Sequence, residues 1–440
     1  MSEKRNHNIY NPKMECMSRD ERAALQSERL RALVRREYDH VEVYRRRMDD
    51  KGVRPEDIRT IEDIRLLPFM EKTDLRDQWP FGLFAVPKRD IVRIQGSSGT
   101  TGHPIVSGYT QHDLDVWSEM MARTLAGAGA GPDDVVQVAY GLGLFTGGFG
   151  GVQGGQQLGA MVIPMSSGNT QRQIMMMREL GTTVLCCTPS YATYLGETIR
   201  EMGLDPKKDL KLRAGCFGAE PWTEAMRRHV EELLCIDACD IYGLTEICGP
   251  GAAFECLEKH GMHINEDHIY PEIVDPVTGE PLPCGQTGEL VFTTLTKEGT
   301  PMLRYRTHDL CRLDDSPCAC GRTTIRMGRI TGRTDDMLVI RGVNVFPSQI
   351  ESVLVNVEGV APHYMLIVDR VNSSDTLEVQ VEMTDEMFSD TVSHIEQVRK
   401  TITDRIKSVV GIATKVKLVA PKSIPRSEGK ARRVIDNRKL

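Results

Sequence analysis

No stretch of the 440-residue chain stays apolar for the length that a membrane-spanning helix needs. The opening "MSEKRNHNIYNPKMEC" also lacks the apolar core of a secretory signal. The expectation is a cytoplasmic protein with no membrane partner. Positive charge is not in excess: 55 Lys and Arg stand against 62 Asp and Glu, a formal net charge of −7, and the pI is about 5.9. That balance argues against nucleic acid as the main partner. Neither an internal repeat nor a low-complexity tract is visible. A disulfide framework is also not expected, because 12 cysteines on an intracellular-looking chain read as thiols or metal ligands. The closing "RKL" bears a faint likeness to a peroxisomal address, and a chance tail is the better reading.

What is present is ordinary for a soluble globular protein: 40% hydrophobic and 27% charged residues. The length exceeds what one compact core accommodates and points to two or three domains. Ser18 with Glu21 forms a capping-box pattern, and Leu30, Leu33 and Val34 continue a helical stripe. Beyond residue 90, short apolar runs ("DVVQVAYG", "MVIPM", "TTVLCC", "LRAGCFGAE") alternate with helical or glycine-rich stretches. This alternation predicts an α/β fold with sites at the carboxyl ends of strands. Cys186 and Cys187 fall in one of these buried strands, and "TGELVFTTL" reads as another. After about residue 335 the pattern resets. "LEVQVEM" alternates as a half-buried strand does, and a helix is expected to open at Ser389, present Val392, Ile395, Val398, Ile402 and Ile406 on one face, and end at Gly411. These residues predict a smaller α+β domain joined by a tight hinge.

The stretch "QGSSGTTGHPIVSGYT" concentrates glycines and hydroxyls. It is not a P-loop, since Ser97 stands where the first glycine is required and His103 follows Gly102. It contains no G-x-G-x-x-G. Taken alone it reads either as a loop that wraps amides and hydroxyls around phosphate or as a polar surface turn.

Four further segments accompany it: "YGLTEICGP", "RYRTHDL", "GRTDDMLVIRGVNVFPSQIE" and "IPRSEGKARRV". In this order and spacing the five resemble the adenylate-forming acyl-CoA synthetase superfamily, and more closely the phenylacetate–CoA ligase family, over essentially the whole chain. The resemblance implies a large AMP- and acyl-binding region over 1–332, a hinge over 333–336 with Asp335 at the pivot, and a mobile domain over 337–440. It implies activation of a carboxylic acid by ATP, then transfer to coenzyme A.

By the same resemblance, Ser97, Ser98, Gly99, Thr100, Thr101 and Gly102 would cradle the β- and γ-phosphates, with His103 where the family usually has lysine. Tyr242, followed by Gly243, would stack on adenine. Thr245 would bond the α-phosphate and Glu246 would hold Mg²⁺, a succession of ring, hydroxyl and carboxylate that suits a nucleotide. Gly218, Ala219 and Glu220 would line the other face of the base. Asp309 would accept both ribose hydroxyls, beside His308 where the family commonly has glycine, and Arg333 would add a second ribose contact. Lys430 would enter late to offset the charge of carboxylate and α-phosphate.

The segment "AYGLGLFTGGFGG" resembles the family's acyl pocket, with Tyr140 and Phe145 facing a small aryl or arylalkyl acid, phenylacetate first. Core packing is the other reading of these two rings. Cys318 and Cys320 of "PCACGRT", with Cys256 and an imidazole, would complete a structural Cys₃His zinc site. A family-like "GMHINEDH" favours His263 for the imidazole, with His260 as the fallback, and unliganded thiols are the alternative. Two further readings stay open: loading of an aryl acid onto a carrier protein, and nucleotide binding without turnover. A homodimer is implied by the resemblance alone.

Overall fold

The computed structural model describes residues 7–97, 105–334, 338–341, 343–371, 374–426 and 433–438. After a single helical turn at Pro12–Glu15 comes helix Arg19–His40. Ser18 Oγ accepts a hydrogen bond from the Glu21 amide while the Glu21 carboxylate accepts one from the Ser18 amide, so the capping box forms as its spacing predicts. Leu30, Leu33 and Val34 are buried on its inner face.

Two short strands, β1 (Arg93–Gly96) and β2 (Val106–Tyr109), pair as an antiparallel hairpin. The glycine-rich loop connects them. A large mixed sheet follows, built from β3 (Val135–Val138), β4 (Met161–Pro164), β5 (Val184–Cys187), β6 (Ala214–Gly218) and β7 (Asp237–Leu244), then β8 (Gly249–Glu255), β9 (Met262–Ile264), β10 (Ile269–Val274), β11 (Thr287–Thr294), β12 (Tyr305–Asp314), β13 (Arg326–Met327) and β14 (Gly332–Arg333). Its order is β10-β11-β12-β13-β9-β8-β7-β6-β5-β3-β4, with β14 alongside β12. Strands β4, β3, β5, β6 and β7 run parallel, and the pairing turns antiparallel at β8. The apolar runs are therefore the parallel strands, with β5 and β6 fully buried and β4 exposed at the sheet edge, and the site lies where β6 and β7 end.

The C-terminal part has its own core. Strands β15 (Leu338–Ile340) and β16 (Val343–Val345) pair with each other, and β17 (Val360–Val371), β18 (Ser374–Met383), β19 (Lys415–Val419) and β20 (Val434–Asp436) form a sheet of order β19-β18-β17-β20. Leu377, Val379, Val381 and Met383 are buried in alternation, as their period requires. Helix Val392–Val410 covers this sheet with Val398, Ile402, Ile406 and Val410. Its start corrects the expectation placed at Ser389. Thr391, in extended backbone, caps the helix by accepting from the His394 amide, whereas Ser389 closes the preceding short helix Asp385–Phe388. Val392 consequently lies off the packed face and is 77% exposed.

Candidate active site

Strand β7 delivers Tyr242 and Gly243 to the site, and its exit turn delivers Thr245 and Glu246. Gly243 is required by close approach: a Cβ there would lie 1.9 Å from the Gly249 carbonyl oxygen of β8. Thr245 and Glu246 are both buried. The Thr245 hydroxyl lies 3.5 Å from that of Thr146, at the start of helix Thr146–Leu158. Glu246, next along the turn, contributes a buried carboxylate of the kind that can join phosphate and water in holding magnesium.

Asp309 of β12 meets the same strand, β7, through Tyr242. Its Oδ2 accepts from the Tyr242 hydroxyl at 2.5 Å and its Oδ1 from Arg333 Nη1 at 2.7 Å. Burial and the adjoining Asp309 carboxylate push the Tyr242 phenol well above its ordinary range, so it stays a donor at neutral pH. A bulge aims Asp309. Between the Glu289–Leu310 and Val291–Arg306 pairs, Thr307–Asp309 oppose Leu290 alone. Within it His308 adopts φ 63°, a left-handed conformation that glycine adopts freely and histidine at some cost. The Thr307 hydroxyl donates to the Leu290 carbonyl at 2.7 Å and accepts from the Asp309 amide at 3.0 Å. Thr307 was missed by sequence reasoning, although the replacement of a usual glycine by His308 marked the bulge it staples.

Strand β6 ends at Gly218, where a Cβ would meet the Ile241 carbonyl at 2.3 Å. Ala219 then takes φ 70°, and the Glu220 carboxylate accepts from the Ser190 amide at 2.7 Å, at the N-terminus of helix Pro189–Glu201. Tyr140, just past β3, is buried among Val138, Cys186 and Cys216, with Phe145 half-buried against the same cluster. Ser97 ends the described part of its loop, and its amide donates to the Ile105 carbonyl across the loop's base at 3.2 Å. Ser98, Gly99, Thr100, Thr101, Gly102, Asp335 and Lys430 lie outside the described residues.

A second cluster gathers Cys256, His263, Cys318 and Cys320, whose ligand atoms lie within 4.8 Å of one another. Cys256 Sγ and Cys318 Sγ are 3.8 Å apart, and Cys320 Sγ and His263 Nε2 are 3.4 Å apart. Tetrahedral zinc, with Zn–S of about 2.3 Å and Zn–N of about 2.0–2.1 Å, requires separations of roughly 3.8 and 3.6 Å. The four residues fit that ion. His263 Nδ1 meets the Thr324 hydroxyl at 2.9 Å, which orients the ring with Nε2 toward the sulfurs. Hydrogen bonds from the Cys256 and Cys318 thiols, and then from His263, draw the Cys320 thiol far down. His260 is not among the four.

The AMP-binding enzyme family model matches residues 22–296, and the model of the AMP-binding enzyme C-terminal domain matches 342–438. A phenylacetate-coenzyme A ligase of Thermus thermophilus is 50% identical over 98% of this chain and 100% of its own length. Another, from Escherichia coli, is 51% identical over 97% of each. The chain belongs to the phenylacetate-coenzyme A ligase family of AMP-binding enzymes. Among solved structures, a 2-hydroxyisobutyryl-CoA ligase in the postadenylation state with 2-HIB-AMP superposes with a TM-score of 0.91 at 31% identity, over 97% of this chain and 92% of that one. The same ligase with 2-HIB-AMP and CoA in the thioesterification state gives 0.72 at 32% identity over the same shares. Over its full length the chain thus follows the first of these two structures more closely than the second.

One more buried residue borders the site without any signal in the sequence. Lys297 follows β11 in "TTLTKEG", where a lysine reads as a solvated loop residue, yet its ammonium lies beneath the Glu246–Ile247 turn. No helix among the described residues is long and apolar enough to cross a membrane.

Proposed function

We propose that this enzyme activates phenylacetate with ATP and transfers it to coenzyme A, giving phenylacetyl-CoA, AMP and pyrophosphate. In the first half-reaction a carboxylate oxygen attacks the α-phosphorus, and the bond to the β-phosphate bridging oxygen breaks. In the second, the coenzyme A thiolate attacks the acyl carbon and AMP leaves. The protein's task in both is to position groups and stabilise charge. The observation that carries the reading is Asp309, clamped by Arg333 and by Tyr242 of the strand that leads into the Thr245–Glu246 turn, in a chain half identical to phenylacetate-coenzyme A ligases along nearly its whole length.

Asp309 would take the ribose hydroxyls with Arg333 beside it, Tyr242 and Gly243 one face of adenine, and Gly218, Ala219 and Glu220 the other. Thr245 would donate to the α-phosphate. Ser97, Ser98, Gly99, Thr100, Thr101 and Gly102 would hold the departing pyrophosphate. Glu246 would hold Mg²⁺, which offsets phosphate charge when bound. Asp335 would serve as the pivot between 1–332 and 337–440, and Lys430 would reach the α-phosphate during adenylation only. Tyr140 and Phe145 would border the aryl ring. Zinc held by Cys256, His263, Cys318 and Cys320 would be structural, since four protein ligands leave no open position. A cytoplasmic homodimer completes the reading.

The test is a panel of aryl and arylalkyl acids incubated with ATP, Mg²⁺ and coenzyme A. Phenylacetate should give the thioester with AMP and pyrophosphate in equal amounts. Formation of ADP, or acylation of a carrier protein but not of free coenzyme A, would overturn it. Lys430→Ala should abolish acid-dependent pyrophosphate exchange while sparing thioester formation from supplied phenylacetyl-adenylate.

A further inference from the structure

We infer that Lys297 is a positioning residue that bolts the hairpin bearing the glycine-rich loop to the turn bearing Thr245 and Glu246, so fixing the pyrophosphate cradle relative to the metal-binding carboxylate. This rests on the adenylation reading above. Lys297 is 5% exposed. Its Nζ donates to Ser107 Oγ at 2.7 Å, to the Ile247 carbonyl at 2.9 Å and to the Glu246 carbonyl at 3.4 Å. Three hydrogens thus meet three acceptors on two different elements. Ser107 belongs to β2, the strand that returns from the glycine-rich loop; Glu246 and Ile247 form the exit turn of β7.

The same junction is tied at two more points. The Tyr109 ring, also on β2, covers the ammonium with its centroid 4.6 Å from Nζ, and the Tyr109 hydroxyl lies 3.5 Å from the Thr245 carbonyl. The Asp113 carboxylate accepts from the amides of Glu298 and Gly299 at 2.7 and 2.9 Å, which pins the chain immediately after Lys297. An ammonium enclosed this fully is unfavourable unless every proton is bonded, and a methionine of similar reach would fill the space without that cost. What the lysine adds is a rigid three-way joint between loop hairpin and turn.

Burial draws the Lys297 ammonium down to about 8, against the opposing pull of Cys248, Asp113 and Glu246. With the Tyr109 ring, these are the groups that face it.

The test separates the half-reactions. Wild-type protein lacking both pyrophosphate exchange and thioester formation would overturn the adenylation reading itself, and this inference with it. If wild type is active, Lys297→Met should lower exchange roughly 30–300-fold and thioester formation from supplied phenylacetyl-adenylate less than about threefold. Equal losses in the two would mean a merely structural lysine. Should Lys297→Met fail to fold, Ser107→Ala cuts the joint on the hairpin side alone and should lower exchange about tenfold; an undiminished rate rejects the joint.

Discussion

Arg333 and Asp309 face each other as direct partners across the β14–β12 ladder, with the guanidinium Nη1 2.7 Å from the carboxylate Oδ1. The ion pair lies two residues before the proposed pivot at Asp335. The ribose acceptor would therefore be preset on the large lobe before the small one moves, its other oxygen fixed by Tyr242. Preset charge-assisted bonds lose little to reorganisation when ligand arrives.

Asp309→Asn keeps the shape but removes the charge and one acceptor. The KM for ATP in pyrophosphate exchange should rise roughly 10–100-fold. The KM for the acid should stay within about threefold, because no acid contact is altered. Arg333→Lys should give a smaller rise, since an ammonium cannot reproduce the guanidinium fork. An unchanged KM for ATP in Asp309→Asn would reject the ribose assignment.

The cysteine cluster makes a separate prediction. Purified protein should contain about one zinc per chain by elemental analysis, and Cys320→Ser should lose most of it. The cluster fastens the chain's start to the sheet: next to Cys320, Arg322 binds Glu15 at 2.6 Å and the Asn8 carbonyl at 2.7 Å. Chelation should therefore lower the melting temperature, with the KM for ATP unchanged in protein that remains folded. Absence of metal in protein made with zinc supplied would leave the thiol reading in place.

Glu37 is the clearest stability liability. It is fully buried in helix Arg19–His40, and neither carboxyl oxygen meets a hydrogen-bond partner among the described residues. Burial pushes its carboxyl well above the usual range, only partly opposed by Arg36. A raised folded-state value means that the native protein holds a proton the unfolded chain has released. Its contribution to stability is complete below the unfolded value near 4.3 and is lost as pH rises toward the folded one, at about 1.4 kcal/mol per pH unit. Glu37→Gln should match wild type in melting temperature at pH 4 and exceed it increasingly toward pH 8. Parallel curves would show that Glu37 is not the group responsible.

Sequence alone carried the architecture because the parallel strands are short, apolar and evenly punctuated, and because motif order is preserved along the chain. It carried the membership of the cysteine–histidine cluster, Cys256, His263, Cys318 and Cys320, through C-x-C, one upstream cysteine and one upstream histidine. It could not carry the bulge at Thr307–Asp309, which depends on register against β11, nor Lys297, whose burial arises only when β2 and the β7 turn close over it. The misplaced helix start has a local cause: Ser389 and Thr391 are both good caps, and only backbone geometry distinguishes them. Tyr140 and Phe145 left both readings open for a related reason, since an aromatic ring at a strand end looks the same in a pocket wall and in a core.

The arrangement of the two parts leads to the last prediction. His363 of β17 meets Glu197 of helix Pro189–Glu201 at 3.3 Å, and Lys422 pairs with Glu201 one turn further along the same helix. Burial pushes the Glu197 carboxyl up, but the hydrogen bond and charge of His363, with Arg426 and His229 nearby, hold it below the usual range. Glu197 is therefore ionised where it meets the small lobe, and these contacts belong to an arrangement that matches the postadenylation form at TM-score 0.91 against 0.72 for the thioesterification form. Removing an interaction present in only one of two arrangements shifts their ratio by that interaction's energy, about tenfold for 1.4 kcal/mol. Glu197→Ala should then slow single-turnover adenylation roughly 5–20-fold and leave thioester formation from supplied adenylate unchanged or faster. If both half-reactions slow together, the His363–Glu197 pair is packing that the two arrangements share, and selection between them lies elsewhere on the interface.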